Sequence, residues 1–102
     1  MLSEDEVLEE EMNPALPGNE LIEAGIRDLR DGRETVAALL VAIGAPRLRS
    51  VGLEVPGRLP ESPEHRLYEL LARDDSDSAH TRYNALIRRL VSFERAAECA
   101  SK

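Results

Sequence analysis

Reactive side chains are scarce in this sequence and concentrate in its second half. Arg73 and Asp74 are followed, after five further residues, by His80, with Arg82 two positions on. An arginine and a histidine brought side by side can hold a phosphate and move a proton at a neighbouring hydroxyl. Further along stand Arg88, Arg89 and Arg95; Arg82 and Arg89 are seven apart, as are Arg88 and Arg95. On a helix that spacing makes two basic rows, a candidate charged surface for a partner. His65 lies among acids and reads as a surface residue. Cys99 is the sole cysteine, with no base or helix N-terminus near it in sequence to lower its thiol pKa. Glycine-rich phosphate loop, nucleophile elbow and metal-ligand spacing are all missing, so neither a metal nor a cofactor is expected.

The Arg73-Asp74 to His80 pattern resembles that of helical ribonucleases of the HEPN type, which carry an arginine, often followed by a polar residue, and a histidine a few positions later. The resemblance spans eight residues. It implies an RNA-directed nuclease or nucleotide-binding helical domain, with Arg73 holding phosphate, His80 assisting proton transfer at the ribose hydroxyl and Arg82 just beyond. Here the pattern crosses the acidic turn Asp74-Asp75-Ser76-Asp77, whose charge repels an RNA phosphate. For the arginines after it, pairing with acids is the more economical use. The acids at hand are Glu94 and Glu98, or an acidic N-terminal stretch of the same or a neighbouring subunit.

That stretch accounts for most of the charge. Residues 1–16 hold Glu4, Asp5, Glu6, Glu9, Glu10 and Glu11 and no base, while the other 86 residues carry 14 acids against 13 bases. A chain balanced in this way does not wrap nucleic acid by bulk electrostatics. Lys102 is its one lysine and Tyr68, Tyr83 and Phe93 its only aromatics, whereas nucleic-acid surfaces use lysines and stacking rings. A lone cysteine suits a reducing compartment, and the N-terminus lacks a basic start with an apolar core. The expectation is a cytoplasmic protein without membrane attachment.

The elements that must position these residues centre on Val36-Ala37-Ala38-Leu39-Leu40-Val41-Ala42-Ile43-Gly44-Ala45. Val36, Leu39, Leu40 and Ile43 line one helical face, and the remaining positions are apolar too. A helix with no polar side must be enclosed by other elements or by another copy of the chain. Ten uncharged residues are about half the roughly 20 a bilayer span needs.

Upstream, Ser3 and Glu6 form a capping box for a short helix ending at Asn13-Pro14, and Pro14–Gly18 is a linker. Asn19 caps a helix to about Arg30 with Leu21, Ile22, Gly25, Ile26 and Leu29 along one side. Gly25 in that stripe costs about 1 kcal/mol against alanine, which close approach of a second helix would offset. Glu23 with Arg27, Arg27 with Asp31, and later Glu69 with Arg73 are spaced for ion pairs along a helix. Asp31 and Glu34 supply a cap pattern for the central helix, and Gly44-Ala45-Pro46 ends it or turns it into a short continuation.

Residues 52–63 form an extended, proline-rich connection anchored by Leu53, Val55 and Leu59. Ser62-Pro63 starts a helix to about Arg73, and a last helix runs from about Ala79 to Cys99. The sequence thus predicts an all-α bundle of four main helices plus a short N-terminal one. Its domain plan is an acidic segment and linker over 1–18, a short helix or disordered, then one helical domain over 19–102. The expected function is a small non-enzymatic protein-interaction module, homodimeric, of an accessory or antidote type serving a larger partner. The nuclease is the alternative.

Overall fold

Helix α2 has no polar side to leave in water, and everything else is arranged to cover it. In the computed structural model, which describes residues 18–100, α2 comprises Val36–Ile43, and Ala38, Leu39, Leu40, Val41 and Ala42 are all buried. Around it stand α1 (Asn19–Arg30), α3 (Ala45–Ser50), α4 (Pro63–Asp74) and α5 (Ala79–Ala100), and α2 packs against every one of them. The protein is an all-α bundle of four main helices with α3 as a short fifth; the described residues contain no strand. The short helix expected around Ser3–Met12 lies outside the described residues. No helix among the described residues is long and apolar enough to cross a membrane.

The first partner of α2 is α1, which buries Ile22 and Gly25. A β-carbon at Gly25 would collide with the Ala37 carbonyl oxygen and Val41 Cγ2. The missing side chain lets the two helices meet at backbone distance, and this contact offsets the propensity that glycine forfeits.

Three caps differ from expectation. Gly18, not Asn19, occupies the cap position of α1, at φ 77°, a left-handed conformation that costs glycine nothing. At α2 the cap is Thr35 rather than Asp31 with Glu34. Its hydroxyl accepts from the Ala38 N–H at 3.1 Å and donates to Asp28 Oδ2 at 2.7 Å, tying the helix start back to α1. Ser62 precedes Pro63 as expected, but its side chain makes no capping bond to α4.

The central run breaks after Ile43. The Gly44 N–H bonds to the Leu40 carbonyl, and Ala45-Pro46 then opens α3, where proline's missing donor leaves nothing unsatisfied. The connection over 52–63 is strapped down. Val55 is buried, Leu53 and Leu59 pack on the core edge, and Arg49 holds the segment by donating to the carbonyls of Val55 at 3.4 Å and Pro56 at 2.6 Å. Leu67 and Leu71 of α4 and Ala79, Leu90, Phe93 and Ala97 of α5 close the core, with the rings of Tyr68 and Tyr83 5.8 Å apart across the pair.

Gly25→Ala is expected to lower stability by about 1–3 kcal/mol, the usual cost of overpacking, despite alanine's better helix propensity. Chemical denaturation reads the change directly. A gain in stability would mean that α1 and α2 have room to spare.

Candidate functional site

The arginines of α5 fall into two environments. Arg82 is half-buried and donates to Asp74 Oδ2 at 2.8 Å, bridging the acidic turn to the helix that follows it. Arg88, Arg89 and Arg95 are exposed and form no ion pair with any described residue. Arg88 and Arg95, two turns apart, share the outer face of α5, and Arg89 lies on the flank beside Phe93.

Glu94 and Glu98, the acids expected to serve these arginines, are turned to the other side and taken by Arg47 of α3. Arg47 Nε and Nη2 donate to the two Glu98 carboxylate oxygens at 2.8 and 2.9 Å, and Nη1 reaches Glu94 Oε1 at 3.5 Å. The Arg47–Glu98 fork clamps α3 to the C-terminal end of α5 in the bidentate geometry that suits a guanidinium. Sequence reasoning missed this pairing because the partners lie 47 and 51 positions apart.

Glu94 is the buried acid of the structure, 5% exposed and packed against Gly44, where a β-carbon would stand 2.7 Å from Glu94 Oε2. Burial pushes its carboxyl above the ordinary glutamate value; Arg47 opposes the shift and Glu98 adds to it. On Arg47 the Glu98 hydrogen bond acts first and the Glu98 charge second, both holding the guanidinium in its charged form.

The HEPN-like candidates have separate surroundings. Arg73 lines a groove of about 490 Å³ beside the α1–α2 corner, together with Glu34, Glu61, His65, Arg66 and Glu69. Its other basic side chains have acidic partners: Arg66 donates to both Glu34 oxygens at 2.9 and 2.7 Å, and His65 Nε2 lies 3.1 Å from Glu69. Glu69 therefore pairs with His65 rather than with Arg73. His80 and Arg82 do not line this groove. His80 is exposed on α5, with Asn84 Nδ2 3.2 Å from its Nε2.

A second groove, of about 640 Å³, separates the α1–α2 corner from the proline-rich strap and is bordered by Arg30, Arg33 and Arg58. Arg33 pairs there with Asp31 at 3.1 Å, not Arg27 with Asp31. Among the described residues no three histidine, cysteine or acidic side chains converge as a metal-ligand set. Cys99 is a free, exposed thiol on the last turns of α5. Arg27 and Arg30 of α1 and Arg73 of α4 are likewise exposed without an ion pair to a described residue; α5 differs in carrying three such arginines on one helix.

No family model matches this chain, and no curated protein or solved structure is significantly similar to it.

The raised Glu94 pKa has a defined sign in solution. The folded state keeps this proton to higher pH than the unfolded chain does. The stability tied to Glu94 is therefore greatest at and below the ordinary glutamate range and falls as pH rises through the folded value. Glu94→Gln removes the charge while Arg47 keeps Glu98. Its urea midpoint is expected to vary less with pH across that window and to equal or exceed that of the natural chain at neutral pH. An unchanged pH profile would show that Glu94 is not the group responsible.

Proposed function

We propose that this chain is a non-enzymatic protein-interaction module, an accessory or antidote-type protein that presents Arg88, Arg89 and Arg95 to an acidic surface of a larger partner. The observation that carries the reading is the contrast on α5. Arg82 of the same helix has a carboxylate partner in Asp74, whereas these three are exposed and have none among the described residues; Arg27, Arg30 and Arg73 elsewhere are also exposed without an ion pair, but no other described helix carries three such arginines.

A guanidinium is suited to carboxylate recognition by its planar fork and weak hydration. Three of them on one helix form a rigid, pre-ordered patch, which reduces the ordering cost of binding. The body's near-neutral balance and single lysine favour a local acidic contact over broad phosphate binding. The lone cysteine suits a reducing compartment, and the reading places the protein in the cytoplasm.

The nuclease alternative needs Arg73 and His80 in one cleft, and Arg73 lines a groove that His80 does not.

Binding of the intact chain to poly-L-glutamate at low salt tests the proposal. Arg88→Ala, Arg89→Ala and Arg95→Ala combined are expected to weaken it at least about tenfold, a loss of about 1.4 kcal/mol, with the melting temperature unchanged. His80→Ala should bind as the natural chain does. Cleavage of single-stranded RNA that disappears in His80→Ala, or tighter binding to RNA than to polyglutamate, would overturn the reading.

A further inference from the structure

We infer that the chain's own acidic segment, residues 4–11, occupies the Arg88–Arg89–Arg95 face of α5 and competes there with an external acidic partner; the competition, though not the occupancy, rests on the function proposed above. Three observations converge on this occupant.

The first is where the chain enters the fold. Gly18 packs against α5 itself: a β-carbon built on it would lie 3.6 Å from the Arg89 carbonyl oxygen and 3.9 Å from Phe93 Cβ. The residues before Gly18 therefore start from the flank of the arginine face, not from the far side of the bundle.

The second is reach. Glu11 precedes Gly18 by seven residues, at most about 23–25 Å of extended chain, while Arg88 to Arg95 spans about 10 Å along the helix axis. A short tether of this kind gives the acids an effective concentration in the millimolar range at the arginines.

The third is charge. Glu4, Asp5, Glu6, Glu9, Glu10 and Glu11 form the one strongly acidic block without a base in the sequence. The nearer acids are committed, since Arg47 holds Glu94 and Glu98, and Arg82 holds Asp74 at the other end of α5. Carboxylates facing guanidinium groups form charge-assisted bonds, and intramolecular delivery lets contacts that are individually weak at a surface act together. An external partner must displace this segment, so binding to α5 is gated by ionic strength and by anything that removes the segment's charge.

Cys99, exposed and four positions beyond Arg95, is the only cysteine and accepts a nitroxide label without further substitution. In the full chain at low salt, the label is expected to broaden the backbone amide resonances of residues 4–11. Broadening should disappear at high salt and in the combined Arg88→Glu, Arg89→Glu and Arg95→Glu variant. A sample mixing isotope-labelled chains without nitroxide and unlabelled chains with it should show none. No broadening in the singly labelled chain would overturn the inference, and so would broadening in the mixed sample, which would assign the contact to a second copy.

The competition is read separately. Neutralising the six acids together, Glu4→Gln, Asp5→Asn, Glu6→Gln, Glu9→Gln, Glu10→Gln and Glu11→Gln, is expected to tighten poly-L-glutamate binding about tenfold. Equal binding by the two chains overturns the gating and leaves the interaction surface standing. Absence of binding to either chain, with the nitroxide effect intact, sinks the proposed partner class and leaves the occupancy standing.

Discussion

Burial of α2 on all sides is the constraint from which the architecture follows. Its five consecutive buried residues, Ala38 to Ala42, leave no direction in which the helix can face water. Four other helices must therefore touch it, and three of them are brought to it by distinct local devices. Gly25 brings α1 in at backbone distance, and the Gly44 break turns the chain so that α3 begins against α2. The Arg49-anchored strap carries the chain over to α4. With few aromatics available, the core is closed by Leu, Ile, Val and Ala at short separations, where even one added methyl group is felt.

Charge organisation follows from that packing. Once α3 is fixed against the end of α2, Arg47 stands over Glu94 and Glu98, and its fork ties the C-terminal part of α5 to the bundle. The arrangement has an internal tension, because Glu94 is buried deeply enough to resist ionisation while its arginine partner favours it. A buried carboxylate of this kind contributes to specificity of packing more readily than to stability. Its second effect is to withdraw the two local acids from the outer arginines of α5. Those arginines are exposed because the helix is turned to serve Arg47 and the core.

Much of this was legible in the sequence. The all-apolar run at 36–45, the stripe of α1 with Gly25 inside it, the breaks at Gly32 and Gly44 and the proline-rich strap are local patterns, and helix periodicity and turn chemistry operate over only a few residues. The caps were less legible. Thr35 wins over Asp31 because its hydroxyl can bond Ala38 and Asp28 at once, and Asp28 comes within range only when α1 folds back on α2.

The sequence by itself determined where the four main helices form, which face of each is greasy and where the acidic charge lies, since these depend on neighbours along the chain. Tertiary structure decided which charges meet. Arg66 with Glu34, 32 positions apart, and Arg47 with Glu94 and Glu98 depend on how each helix is rotated about its axis and crossed against α2. That rotation is set by close packing of the whole core, so the exposure of Arg88, Arg89 and Arg95 became visible only with the fold complete.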